Sequence, residues 1–246
     1  MKTLFIFGTM FLLLVCNLKA QEKINATMPM IGDDAPLFIA ETTSGLLNFP
    51  ADYGSKWKII FSHPQDFTPV CTTELLTLAH MQGIFEKLNT KLAVISTDVL
   101  DQHFMWKKLL EETTYKDMKP VKIKFPIIDD SKYSISKSYG MIHSKSSSTK
   151  DVRGVFIINP ENKIAAVIFY PMNIGRNMEE IHRTLLALQM AESGKSRVLT
   201  PANWQPGDDV MVPYLPYTEK DLAANPSLTQ SYYNVGSFMW FKKMKP

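Results

Sequence analysis

A chain of 246 residues, 45% hydrophobic and 21% charged, can bury the core of one sizeable domain with an appendage. Its formal net charge of +3 is far from the basic footprint of a nucleic-acid binder. Only two cysteines are present, Cys16 and Cys71.

At the N-terminus, Lys2 precedes an apolar run from Leu4 to Val15, shorter than the roughly 20 residues that a membrane-spanning helix needs. Leu18 and Ala20 stand before Gln21, as signal peptidase requires. Residues 1–20 are therefore expected to be an export signal, with no membrane span. The destination is the periplasm in a bacterium, or the endoplasmic reticulum lumen or exterior in a eukaryote. A lipobox ending at Cys16 is disfavoured because the preceding Val15 is too large. Asn25-Ala-Thr27 matches the glycosylation sequon, which matters only in a eukaryotic secretory pathway. Cleavage after Ala20 leaves 25 basic and 24 acidic side chains and a single cysteine. No disulfide can then form within the mature chain, although exported proteins commonly carry them. The remaining thiol is either a small buried hydrophobe or a reactive group.

Trp57 to Ser62 and Leu92 to Ser96 are apolar runs of strand length. Between them Leu75, Leu78, Ala79, Phe85 and Leu88 recur at helical spacing, predicting a helix over 70–89 and a parallel βαβ unit. Asp101 to Glu112 reads as a second helix, Phe125 to Ile128 as a short strand, and Ser131 to Tyr139 as a helix ending at Gly140. His143 to Asp151 reads as a surface loop. Val152 to Ile158 and Lys163 to Tyr170 flank the turn Asn159-Pro-Glu-Asn162, predicting a hairpin. Asn177 to Ala191 gives a last long helix, capped by Asn177. This order suggests an α/β chain with a mixed central sheet flanked by helices, as in the thioredoxin fold. The main domain is expected over 28–195. Residues 198–246 are rich in proline but also in aromatics, from Trp204 to Phe241. A disordered tail would be poor in aromatics, so this segment is expected to be a small ordered C-terminal domain packed on the core or on a second subunit.

Cys71 lies where the first strand gives way to the first helix. Pro69 suits the first helical position and Thr68 the N-cap, which puts Cys71 in the first turn. Free backbone N–H groups and the positive end of the helix dipole there favour the thiolate, the nucleophilic form. Thr68 either caps the helix or offers a catalytic hydroxyl; Pro64 either shields the sulfur or ends the strand. His80, His103, His143 and His182 show no pairing in the sequence with Cys71 or with one another, and no metal site is expected. Trp57, Trp106, Met172, Met178 and Met190 are read as packing residues.

The string Pro64-x-x-x-Thr68-x-x-Cys71 resembles the active-site signature of the peroxiredoxins. The longer run Ser62-His-Pro-x-Asp-Phe-Thr-Pro-Val-Cys-Thr-Thr-Glu74 is similar to that of the one-cysteine, peroxiredoxin 6 class. The likeness continues through Phe125-Pro-Ile-Ile-Asp-Asp130, Arg153-x-Val-Phe156, Tyr170-Pro171, Gly175-Arg-Asn177 and Thr200-Pro-x-x-Trp204. It implies an antioxidant, thiol-dependent peroxidase acting on hydrogen peroxide and organic hydroperoxides, with Cys71 as peroxidatic nucleophile passing through a sulfenic acid. Arg153 matches the arginine that stabilises the thiolate and the departing oxygen, and Thr68 would orient the peroxide. Glu74 would hold Arg153 or simply favour the helix start. His63 would orient peroxide or help reduction, or else serve packing or a hydrogen bond to backbone, and Arg176 would support the pocket or make a dimer or surface contact.

Two-cysteine relatives resolve the sulfenic acid internally, whereas this mature chain has no second thiol. The resemblance thus implies an external reductant (glutathione, a thioredoxin-like protein or another thiol), no bound cofactor, and a homodimer with contacts in the C-terminal domain. Some members of the class also carry a phospholipase activity. The corresponding positions hold Lys56, Pro50 and Glu161 in place of serine, histidine and aspartate, so none is implied here. A cysteine hydrolase would need a histidine base bonded to the sulfur, and His63 is the nearest in sequence.

Overall fold

The computed structural model describes residues 28–192, 198–236 and 238–244. The expected export signal, Cys16 and the Asn25 sequon lie outside the described residues, as do residues 193–197 between the two expected domains.

The chain opens with a short antiparallel hairpin, β1 (Phe38–Ala40) and β2 (Leu47–Phe49), that the sequence pattern did not announce. Each strand is three residues long and leaves Ile39 or Asn48 exposed, too little for an alternation to register. The predicted βαβ unit follows as β3 (Trp57–Ser62), α1 (Pro69–Lys87) and β4 (Thr90–Ser96). The two strands are parallel, in register from Trp57 opposite Thr90 to Ser62 opposite Ile95. Next come α2 (Leu100–Glu112), β5 (Ile127–Asp129), parallel to β4, and α3 (Ser134–Ser138). β6 (Arg153–Ile158) and β7 (Ile164–Tyr170) form the predicted hairpin, and α4 (Met178–Glu192) returns over the sheet. The main sheet has the order β5-β4-β3-β6-β7, with β6 antiparallel to β3.

Helix α3 starts three residues later than expected because Asp130 organises a turn first. Its carboxylate accepts from the backbone N–H groups of Ile135 and Ser136 and from the Ser134 hydroxyl, while Tyr133 takes φ +61°. The turn after the helix needs Gly140: at φ +63° a Cβ would sit 2.7 Å from the Cβ of Met28. Asn177 caps α4 as expected, its Oδ1 accepting from the N–H groups of Glu179 and Glu180.

Because side chains alternate along a strand, the sheet feeds two cores. Ile59, Phe61, Val94, Val155 and Ile157 face Leu75, Leu78 and Phe85 of α1, Trp106 and Leu110 of α2, and Ile181 and Leu185 of α4. Ile60, Ala93, Ile95, Phe156 and Ile158 face Phe49, Tyr53, Ile135 and Tyr139. Burial on both faces explains why β3 and β4 read as nearly continuous apolar runs rather than alternating ones. Beyond α4, β8 (Val210–Val212), α5 (Glu219–Ala224), β9 (Tyr232–Val235) and β10 (Met239–Lys242) build a second antiparallel sheet, ordered β8-β10-β9. Val198, Trp204, Val210 and Val212 pack against Leu186, Ala187 and Met190 of α4, so this segment rests on the core of its own chain.

Candidate active site

The site forms where three backbone segments meet: the end of β3, the first turn of α1 and the start of β6. Ser62 joins the two strands beyond their ladder, its hydroxyl donating to the Val152 carbonyl (2.6 Å) and accepting from the Gly154 N–H (2.8 Å). Gly154 is required by this close approach, since a Cβ there would lie 3.0 Å from Ser62 Oγ and 3.1 Å from the Phe169 ring. Arg153 is thereby fixed at the lip of β6, facing the start of α1.

Cys71 is wholly buried in the first turn of α1. Arg153 Nη1 lies 3.2 Å from its Sγ and donates also to Glu74 Oε2 at 2.8 Å. The opposite side of the same guanidinium, through Nε and Nη2, donates to the Met172 carbonyl. Arg153 is thus held rigidly from two sides with one N–H edge on the sulfur. Glu74 is equally constrained. Its Oε1 accepts from the Arg176 backbone N–H (2.8 Å) and Nε (3.0 Å), and its Oε2 from Arg176 Nη2 (2.7 Å). Arg176 spends its remaining Nη1 on the Ser62 and Gly154 carbonyls and lies over the Phe61 ring. Burial pushes the Glu74 carboxyl up, but the Arg176 guanidinium and its hydrogen bonds, with Arg153 behind them, outweigh that and hold it below the usual carboxylate range.

Cys71, Glu74, Arg153 and Arg176 therefore come together as one buried cluster. Glu74 bonds Arg153 directly, and Arg176 is buried and bonds Glu74. Pro64 is buried two residues after β3 ends. Thr68 occupies the N-cap position, but its side chain does not cap. The hydroxyl donates instead to the Gln65 carbonyl at 2.9 Å, the loop having folded back on itself, and so leaves the first-turn N–H groups uncovered by it.

The His63 ring bonds neither the sulfur nor the backbone. Its Nε2 meets Asp66 Oδ1 at 2.8 Å, while its Nδ1 is buried without a partner. Burial lowers its pKa, opposed by the bond to Asp66. A hydrolase-type cysteine–histidine pair is therefore not formed. His103, for which the sequence shows no pairing with Cys71 or another histidine, meets the same carboxylate, Nδ1 to Asp66 Oδ2 at 2.7 Å. Burial would raise the Asp66 carboxyl, but the hydrogen bonds from His103 and His63 hold it below its ordinary range. The residues that sequence reasoning missed are Asp66, His103 and the Met172 carbonyl. The spacing of His63 and Asp66, three apart and inside the signature itself, was the one available signal. His63, Asp66 and Asp98 lie close enough to hold a metal ion, but their oxygens are already taken: Asp66 by the two histidines, Asp98 by Lys150, Ser96 and the Asp66 N–H.

Residues 31–167 match the AhpC/TSA family, and residues 187–221 match the C-terminal domain of 1-Cys peroxiredoxin. A peroxiredoxin of Methanosarcina mazei is 54% identical over 187 residues, which is 76% of this chain and 84% of that protein. Among solved structures, the yeast mitochondrial 1-Cys peroxiredoxin, described for its thiol resolving mechanism via glutathione/thioredoxin systems, superposes with a TM-score of 0.75 at 36% identity. That match covers 88% of this chain and all of the other. A peroxiredoxin 6 of Arenicola marina gives 0.73 at 32% identity, covering 88% of this chain and 98% of its own.

Proposed function

The chain belongs to the AhpC/TSA family as a one-cysteine peroxiredoxin, a thiol-dependent peroxidase, and we propose that it reduces hydrogen peroxide and organic hydroperoxides at Cys71 with an external thiol as reductant. The observation that carries this is the 3.2 Å contact between Arg153 Nη1 and Cys71 Sγ, braced by Glu74 and Arg176. When Cys71 is ionised, its charge and that of Glu74 balance the two guanidinium groups. The thiolate attacks the terminal peroxide oxygen, forming an S–O bond as the O–O bond breaks. The sulfur becomes a sulfenic acid, and the departing alkoxide or hydroxide takes up a proton. Negative charge shifts from sulfur to the leaving oxygen, and a fixed guanidinium edge supports both ends of that transfer without reorganising. Thr68, with its hydroxyl proton committed to Gln65, accepts from the peroxide and aligns it.

One equivalent of external thiol then displaces water from the sulfenic acid to give a mixed disulfide, and a second releases Cys71. Glutathione or a thioredoxin-like protein fits this role; the yeast relative is described with both systems. Homodimerisation is favoured by β7, the edge strand of the main sheet, which leaves six of its seven residues half-buried. Export follows from the sequence Lys2, Leu4 to Val15 and Ala20. Among the described residues no helix is long and apolar enough to cross a membrane.

Peroxide consumption measured with glutathione, thioredoxin and dithiothreitol, on wild type and Cys71→Ser, tests the reading. Turnover with at least one thiol and none in the variant is expected. Equal consumption by both would end it. Fractionation of cells producing the full chain separates export from an internal location such as that of the mitochondrial relative.

A further inference from the structure

The end of the main sheet opposite Cys71 carries a hollow that the peroxidase reading does not use. Strands β3 and β4 run parallel, and Cys71 follows the far end of β3. At their beginnings, between the β1–β2 hairpin, the second half of α1, the start of β4 and residues 124–126, lies a cavity of about 330 Å³. That volume is within the range of small-molecule sites. Lys56, Pro50 and Glu161, the positions compared with a phospholipase triad, do not line it. Long-range hydrogen bonds fix its shape. Gln82 of α1 donates to the Lys122 carbonyl and accepts from the Lys124 N–H, each at 2.8 Å. The Tyr53 hydroxyl donates to the Leu92 carbonyl at 3.1 Å, and Thr43 Oγ1 accepts from the Ile127 N–H at 3.1 Å. The hollow is therefore built before any ligand arrives.

Its wall is apolar and its margin is charged. Leu47, Tyr53, Leu92 and Phe125 line it and are buried, while Leu46 lines it yet is largely exposed and so marks the rim. Four exposed charged residues complete the lining: Lys91, Lys124, Asp52 and Glu86. The Asp52 carboxylate accepts from the Asn48 N–H at 2.8 Å. The lysine ion pairs among the described residues are those of Lys122, Lys150 and Lys163; Lys91 and Lys124 have none. Two uncommitted cations thus stand against one uncommitted acid, Glu86, beside an apolar wall. We propose that this cavity binds a small anionic amphiphile, an aromatic or aliphatic body carrying a carboxylate. The body displaces water from the wall of Leu47, Tyr53, Leu92 and Phe125, and the carboxylate pairs with the ammonium groups of Lys91 and Lys124. Burial of the body supplies the affinity and the head sets its direction. The site stands apart from Cys71 and does not rest on the peroxidase reading.

Calorimetric titration and amide NMR of the purified protein compare 4-phenylbutyrate with its neutral and cationic counterparts, 4-phenylbutanol and 4-phenylbutylamine. The butyrate is expected to bind saturably with a Kd of roughly 1 mM, the scale for a ligand of about a dozen heavy atoms. It should shift the amides of Leu47, Leu92 and Phe125 and leave those of Cys71 to Glu74 in place. The alcohol should bind about tenfold more weakly, and the amine more weakly still, because each forgoes two exposed ion pairs. The double variant Lys91→Gln, Lys124→Gln changes two exposed side chains without partners and so keeps the fold. It should weaken the butyrate by about the same tenfold and leave the alcohol unchanged. Cys71→Ser should bind the butyrate as wild type does. The site is overturned by the absence of saturable binding, by three probes that bind alike, or by an amine that binds best. A double variant with wild-type affinity for the butyrate, or shifts centred on Cys71, would overturn it equally.

Discussion

Replacing Glu74 by glutamine puts the buried cluster under direct strain. The carboxylate accepts four hydrogen bonds, one from Arg153 and three from Arg176, at 2.7–3.0 Å. A guanidinium and a carboxylate about 4 Å apart attract by about 4 kcal/mol at an effective dielectric near 20. Glutamine is isosteric and can still accept through one oxygen, but it leaves two buried guanidinium groups with at most the Cys71 thiolate as counter-charge. Breaking a buried pair in this way costs about 3–5 kcal/mol, against a total stability of about 5–15 kcal/mol for a domain. Urea unfolding at pH 7 should therefore show a midpoint loss equivalent to about 3–5 kcal/mol for Glu74→Gln. The pH dependence has a definite sign. The folded carboxyl titrates below its ordinary value of 4.5, so the stabilisation is complete above that value and is lost as pH falls through the folded one. The gap between wild type and variant should close in acid. A loss below about 1 kcal/mol, the range of an exposed pair, or a gap that persists unchanged to low pH, would refute the reasoning.

Arg153→Lys keeps the charge but loses the fork that spans Cys71, Glu74 and the Met172 carbonyl, and should lower the rate of sulfenic acid formation by about 10²–10³, the scale of a lost oxyanion donor; stopped-flow peroxide kinetics check this. Gly154→Ala places a methyl 3.0 Å from Ser62 Oγ and should cost about 1–3 kcal/mol in urea unfolding through overpacking. Asp151 is buried, accepts from the Ser136 hydroxyl at one oxygen and leaves the other unpartnered. Burial, with Asp130 adding to it and the Ser136 bond opposing it, pushes its carboxyl up to about 8. A folded value above the unfolded one means stability present below the unfolded value and lost as pH rises toward the folded one. Asp151→Asn should therefore raise the thermal midpoint at pH 8 or 9 and leave it nearly unchanged at pH 4.

The strongest local signals in the sequence were those with period and punctuation. Leu75, Leu78, Ala79 and Phe85 marked α1, Pro69 marked its start, and the apolar runs of β3 and β4 marked a buried parallel pair. The signature from Ser62 to Glu74 placed the nucleophile within one segment, and Arg153 followed by resemblance. What stayed hidden is long-range or short. Met172 contributes only its backbone carbonyl, which no side-chain pattern encodes. His103 meets Asp66 across 37 residues of chain, through a helix packing that periodicity locates but does not aim. Thr68 suited a cap by residue type and position, one of the two readings open for it; the fold of the preceding loop turned its hydroxyl to Gln65 instead. The β1–β2 hairpin is too short for its alternation to stand above the surrounding loop.

Intact-mass spectrometry of the reduced protein after one equivalent of hydrogen peroxide, with no reductant present, tests most directly that Cys71 is a peroxidatic thiol working alone. The expected result is a gain of one oxygen localised to Cys71, rising with excess peroxide to the two or three oxygens of sulfinic and sulfonic acid. An unmodified Cys71, or a dominant Cys71–Cys71 linkage between chains, would contradict it.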